Sequence, residues 1–322
     1  MGETGRSLTC SRFSAAGQRK ALVQLTDGKF EFRWKPMKIS YFAECTVLIT
    51  GASAGLGREF ARQLAQVAGS LILVARRQDR LKTLELELKL INPELEIFIQ
   101  QVDLQNEEEV SRFCDWLEES GLTVDVLINN AGLGDYGKFG DADWQRIRAM
   151  LQVNMVALTY LTYRILPAMR KGGGGAILNV SSIAGFVPMP NGAVYAATKA
   201  YVTSFSEALR AELRALNISV TVLCPGPVPT EFQEVAARTS DQETISVNLL
   251  TVPVQEVVRE ALTAVTRHRA RVVPGMMVQV AATVILFVPM FLKRLFFDFQ
   301  SLRESEYAPP RSLDFEPSQT GH

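Results

Sequence analysis

From Cys45 onward, short apolar runs alternate with longer stretches in which apolar side chains recur every three or four residues. The short runs are rich in β-branched residues and almost continuously apolar, the pattern of strands covered on both faces. They fall near 45–50, 70–75, 95–101, 124–129, 175–181, 218–224 and 271–273. Between them, segments such as REFARQLAQ and LKTLELELKL have helical spacing. Pro93 closes one helix, and the glycines at 172–175 separate another, ending near Arg170, from the strand AILNV. Alternating strands and helices predict an α/β fold: a doubly wound, parallel, seven-stranded sheet with helices on both faces. One such domain over 41–275 accounts for most of the 322 residues without a second core.

The two ends of the chain break the pattern. Residues 1–36 carry seven Lys or Arg against three acids and show no sustained apolar period, so 1–40 reads as a disordered or non-native leader. Its Arg and Ser content also fits a transit peptide, although Asp27 and Glu31 spoil the acid-poor pattern. Alternatively, Met37, just ahead of the first strand, is the biological start. At the other end, 272–292 holds 21 residues without a charge, with Arg267, Arg269 and Arg271 before it and Lys293 and Arg294 after. That length reaches a membrane span. Yet VVPG spends four residues on a strand and turn, and Pro289 interrupts the remainder. Three readings stay open: a packed apolar helix walling a pocket or subunit interface, a membrane-surface anchor through 276–299, and a true span. A polar tail completes 276–322.

Composition narrows the chemistry. With 34 basic and 34 acidic side chains the formal charge is zero, which removes the general attraction that nucleic-acid binding needs. Cys10, Cys45, Cys114 and Cys224 lack CxxC spacing, as in cytoplasmic proteins with reduced thiols. His268 and His322 are the only histidines, so neither a His-based triad nor a metal site is expected.

The chemistry rests on other groups. Apolar CTVLIT runs into TGASAGLG at 50–57 and then into a helix, placing Gly51, Ser53, Gly55, Leu56 and Gly57 at a strand-to-helix turn. Backbone N–H groups at such a turn face a ligand's phosphates. The second strand ends at Ala75 and is followed by Arg76 and Arg77, where an NAD-binding chain usually sets an acid against the ribose hydroxyls. Guanidinium groups suit a 2′-phosphate, so NADP(H) is expected over NAD(H). Tyr195 stands four residues before Lys199, and on a helix beginning near Val194 the two share a face. An ammonium beside a phenol favours phenolate and lowers a pKa of about 10 toward neutrality, which makes a Tyr a usable proton donor and acceptor. Ser182, or its neighbour Ser181, would then hydrogen-bond a reacting carbonyl oxygen.

In order come GxxxGxG at 51–57, NNAG at 129–132, Asn154, NVSS ending at Ser182, YAATK at 195–199 and PGPVPT from Pro225. This set resembles the short-chain dehydrogenase/reductase family over about residues 44–275, including that family's departure from GxGxxG. The resemblance implies a Rossmann-type fold and interconversion of a carbonyl and an alcohol by hydride transfer. Tyr195 would be the general acid and Ser182, by its interval to Tyr195, the group that polarises the oxygen. Lys199 would lower the Tyr pKa and hold the nicotinamide ribose, with Asn154 supporting it through an ordered water. It further implies that Asp103 and Leu104 meet the adenine, although Asp103 by itself reads equally as a helix cap. Asn130, Ala131 and Gly132 would pack beside the adenosine ribose, and Pro225, Gly226, Val228 and Thr230 would border the nicotinamide carboxamide. Residues 229–252 would form a substrate lid, and helices around 141–170 and 194–216 would make a homodimer or homotetramer.

The expected partner is a small-molecule carbonyl or alcohol, apolar if the tail meets lipid, in a cytoplasmic protein that is then peripheral to a membrane. Alternatives are a membrane-associated lipid, steroid or 3-oxoacyl carbonyl reductase and, outside catalysis, an NADPH-sensing interaction protein.

Overall fold

A computed structural model describes residues 23–26, 29–32, 41–238 and 251–295. β1 (Val23–Thr26) and β2 (Lys29–Phe32) pair antiparallel, regular structure that the reading of 1–40 as a leader did not include. The rest of 1–40 lies outside the described residues, as do 239–250 of the expected lid and the tail from 296.

The main sheet comprises β3 (Thr46–Thr50), β4 (Ser70–Ala75), β5 (Glu96–Gln101), β6 (Val126–Asn129), β7 (Gly175–Val180), β8 (Ile218–Leu223) and β9 (Arg271–Val272). Each lies inside the span its apolar run predicts. The order is β5-β4-β3-β6-β7-β8-β9 with every pairing parallel. The chain therefore winds outward from β3 in one direction and from β6 in the other. The C-terminal ends of β3 and β6 form a topological switch point, the place where open α/β sheets take ligands.

The helices are α1 (Gly55–Ala65), α2 (Gln78–Ile91), α3 (Glu107–Glu119), α4 (Trp144–Leu151), α5 (Leu158–Lys171), α6 (Ala193–Leu213), α7 (Glu231–Ala236), α8 (Val254–Thr266) and α9 (Met276–Phe287). Strand residues alternate between two cores, because successive side chains point to opposite faces. Val47, Ile49, Leu71 and Leu73 pack with Phe60, Leu84 and Val257 of α1, α2 and α8. Leu48, Ile72 and Val74 pack with Phe113, Leu161 and Leu209 of α3, α5 and α6. With both faces buried no polar alternation survives, and each enclosed Leu or Ile contributes about 1.5–3 kcal/mol.

α9 stops one residue short of Pro289, and only Val278 and Ala282 of it are buried. Among the described residues no helix is long and apolar enough to cross a membrane. Within the described residues the strand, the turn and Pro289 divide the apolar run.

Candidate active site

The glycine turn joins β3 to α1 at the switch point. Gly51 and Gly55 adopt φ of +68° and +53°, which side-chain-bearing residues rarely take. A Cβ on Gly57 would stand 2.2 Å from the Gly51 carbonyl oxygen and 2.5 Å from Asn130 Nδ2. Asn130 fixes the turn from β6: its Nδ2 donates to the Thr50 and Gly51 carbonyls, while the Asn130 and Ala131 amides donate to Thr50 Oγ1. α1 begins without a side-chain cap and without an acid in its first turn. Its open N–H groups and positive end are left for an anion.

Around this turn lies a cavity of about 950 Å³ whose lining includes every residue named from the sequence for cofactor or catalysis except Gly57 and Asn154. Gly57 is buried beneath the turn, and Asn154 is buried behind Gly132. Gly132 lets the chain pass close to the catalytic groups: a Cβ there would crowd Lys199 Nζ at 3.3 Å and Asn154 Oδ1 at 3.4 Å. Asp103 is not the helix cap that its sequence position allowed. Its Oδ1 accepts the Gln105 amide in a turn, yet it lines the cavity, while the cap of α3 is Asn106.

Tyr195 and Lys199 lie on the first turns of α6, as the four-residue spacing predicts. Lys199 Nζ sits 5.7 Å from the centroid of the Tyr195 ring and donates to the Val180 carbonyl at 3.0 Å. Ser182 follows β7; its Oγ accepts the Ala184 amide at 3.1 Å, and the hydroxyl is near enough to Tyr195 to act on the phenol's pKa. Ser181 points the other way, into the core, where its hydroxyl meets the Lys199 carbonyl at 2.7 Å and Thr203 Oγ1 at 2.8 Å.

Asn154 falls within a π turn, Gln152–Ala157, that interrupts the run from α4 to α5. Such an extra residue re-aims a side chain. Asn154 exchanges hydrogen bonds with the Leu133 backbone and donates to Thr198 Oγ1 at 3.0 Å, with no direct bond to Lys199.

The electrostatics depart from the expectation that Lys199 lowers the phenol's pKa. Burial pushes Tyr195 well up, and the neighbouring Tyr136 adds to this against the lowering effect of the Ser182 hydrogen bond. Burial also pushes Lys199 down to about 8. Both groups lie on one buried wall, where loss of water disfavours the charged form of each.

Four contributors were not named from the sequence. Tyr136 meets the Tyr195 ring edge-on at 5.6 Å and acts on its pKa. Phe232 of α7 approaches the other side at 5.7 Å. Glu231 binds Arg77 at 3.2 Å and Arg80 at 2.7 Å. Tyr136 follows NNAG by four residues and Glu231 follows PGPVPT directly, so adjacency to a motif was the available signal. The far end of α7 is pinned as well: Arg238 and Arg146 both bind the buried Asp135, whose carboxyl they hold below its usual range, Arg238 foremost. The Tyr136 amide donates to the Ala236 carbonyl. α7 is thereby a short roof over the cavity, tied down at both ends.

Among the described residues no group of three or more His, Cys, Asp or Glu could hold a metal. Cys45, Cys114 and Cys224 are buried and, among the described residues, joined by no disulfide.

The short chain dehydrogenase family profile matches residues 45–241. A sulfoacetaldehyde reductase 2 of Chromohalobacter salexigens is 38% identical over 191 residues, which is 58% of this chain and 73% of that one. The NADP-dependent 3-hydroxy acid dehydrogenase YdfG of Escherichia coli K12 is 36% identical over 200 residues, 61% of this chain and 77% of its own. Among solved structures, a short-chain dehydrogenase from Sphingobium yanoikuyae in complex with NADPH superposes with a TM-score of 0.66 at 30% identity, covering 84% of this chain and 99% of that chain.

Proposed function

The chain belongs to the short-chain dehydrogenase family, and on that premise we propose that it is an NADP(H)-dependent oxidoreductase interconverting apolar carbonyl compounds and their alcohols. The observation that carries this is the cluster Ser182–Tyr195–Lys199 in one cavity with the glycine turn. A bound nicotinamide would supply the hydride to the carbonyl carbon.

The chain's part is to hold and protonate the oxygen. An oxygen seated between the hydroxyls of Ser182 and Tyr195 is positioned by both. Tyr195, kept protonated by burial, gives up its proton as negative charge develops there. Lys199, with a pKa brought down to about 8, can exchange a proton near neutrality and so serve as the next member of a relay. Asn154 holds the Leu133 backbone and Thr198 in place behind it.

NADP(H) is supported by Ala75 in the place of an acid, by Arg76 and Arg77 at the cavity lip, and by the NADP-dependent relative and the NADPH-bound neighbour. An apolar substrate is supported by the walls. Around the catalytic groups stand Val187, Pro188, Met189, Phe232, Val235 and Ile285, and the cavity's only Lys or Arg among the described residues are Arg76, Arg77 and Lys199. An acidic substrate would find no further cation there.

Two further readings concern assembly. Trp144, Val156 and Tyr163 are exposed on the outer side of α4–α5, which supports a homodimer or homotetramer through those helices and α6. Met276, Val280, Val284 and Phe287 are exposed on α9 beside Lys293 and Arg294, which supports contact with a membrane surface.

The test is NADPH oxidation across aldehydes, small ketones, 3-oxoacyl esters and bulky hydrophobic ketones, with Tyr195→Phe alongside. Turnover of bulky ketones is expected, with a loss of about 10²-fold or more in the variant. Undiminished turnover by Tyr195→Phe would sink the catalytic assignment, equal use of NADH the cofactor reading. NADPH binding without turnover of any compound would favour the sensing alternative.

A further inference from the structure

We propose that Glu231 is a displaceable counter-anion that competes with the cofactor's 2′-phosphate for Arg77 and Arg80, and so sets cofactor specificity from the substrate roof. The inference rests on the NADP(H) reading above. Glu231 accepts from Arg80 Nη1 with both carboxylate oxygens, at 2.7 and 2.8 Å, and from Arg77 Nη1 at 3.2 Å. Arg77 Nη2 in turn reaches Ser53 Oγ in the glycine turn at 3.3 Å. Arg76, at the same lip, has no hydrogen-bond or ion-pair partner among the described residues.

Placement makes this pairing more than a surface ion pair. Arg77 stands two residues beyond the end of β4, at the start of α2, where a ribose 2′-substituent is read in this kind of sheet, whereas Glu231 is the first residue of α7. The residue before it, Thr230, packs over the glycine turn: a Cβ on Gly55 would lie 3.4 Å from Thr230 Cβ. The residue after it, Phe232, touches Tyr195. With Glu231 on Arg77, side chains therefore bridge the cleft from roof to sheet directly beside the phosphate-binding turn.

Magnitudes favour exchange. All three side chains are nearly half exposed, and an ion pair so placed is weak, a few-fold in an equilibrium constant. A phosphomonoester brings a charge of about −1.5 to −2 and three acceptor oxygens, against one charge on Glu231. The dianion outcompetes the carboxylate, and a carboxylate that remains nearby repels it. Loss of the bond frees the N-terminal end of α7, while Arg238–Asp135 still holds the other end.

Calorimetric titration of the full chain with 2′,5′-ADP and with 5′-ADP separates the possibilities. Glu231→Gln should bind 2′,5′-ADP about three- to fivefold more tightly than wild type, with 5′-ADP unchanged. Arg77→Ala/Arg80→Ala should lose the preference for 2′,5′-ADP. If the arginine variant loses it but Glu231→Gln binds 2′,5′-ADP no more tightly, or gains equally for both ligands, the competition is refuted and the NADP(H) reading stands. Weaker 2′,5′-ADP binding by Glu231→Gln would also refute it, making Glu231 an aid that orients the arginines. If the arginine variant keeps the wild-type preference, the competition is refuted and Arg76 carries the NADP(H) reading; a wild type that binds 2′,5′-ADP and 5′-ADP equally would overturn both.

Discussion

At the scale of single residues, the site depends on atoms that are absent as much as on those present. Gly57 has backbone 2.2 Å from where a Cβ would be, and a backbone carbonyl has no flexible end to swing aside. Gly57→Ala must therefore displace the Gly51 turn, and we expect NADPH binding, followed by its fluorescence, to weaken at least tenfold while the chain still folds. Unchanged affinity would mean the turn does not carry the phosphates. Tyr195 and Lys199 could be paired from the sequence because four residues on a helix share a face, whereas the choice of Ser182 over Ser181 came from the interval to Tyr195 in the family that the chain resembles. Tyr136, Arg80 and Glu231 were not legible there, because Arg77 and Glu231 meet across 154 residues of chain and no period in the sequence marks such a pairing. The raised phenol pKa escaped notice for a related reason, since burial is a property of everything packed around a group.

Among elements, the strands were the most readable, because a strand buried on both faces writes an unbroken apolar run. β5, at the sheet edge, is only partly buried and correspondingly mixed in sequence, EIFIQQ. The π turn that carries Asn154 left no mark, since a single inserted residue does not change the apolar spacing on either side.

The other ends of the central strands hold a titratable clasp. Asp125 accepts the Thr46 amide at 2.9 Å through Oδ2, and its backbone joins β3 and β7 through Thr46 and Ala176. Burial raises its pKa from 3.8 to about 6, against the lowering effect of the Thr46 N–H. A carboxyl raised on folding stabilises below its unfolded pKa, and that contribution is lost as pH rises through about 6. Urea unfolding at pH 4 and pH 7 should therefore show wild type losing on the order of 2–3 kcal/mol relative to Asp125→Asn over that interval. Parallel pH profiles for the two proteins would rule the clasp out as a titrating group.

For the molecule as a whole, zero formal charge hides an uneven surface. α9 presents Met276, Val280, Val284 and Phe287 to solvent, with Lys293 and Arg294 just beyond, while its other side reaches the cavity through Ile285. If this face meets lipid, the full chain will float with vesicles containing anionic lipid at low salt, and Val280→Glu/Val284→Glu will abolish flotation. Wild type remaining wholly unbound would assign the face to protein contact instead, and sedimentation would then report the oligomer.

The uncapped start of α1 has a consequence for the protein's life outside the reaction. A helix end left bare for an anion is a small debt in the empty chain, settled only while a dinucleotide is bound. Ligation at a hundred times Kd adds about 2.7 kcal/mol to stability, a sizeable part of what a domain possesses. Cellular abundance would then track the supply of reduced and oxidised dinucleotide: starved of it, more of the chain samples unfolded forms open to proteases, and the enzyme's level becomes a slow record of its coenzyme's.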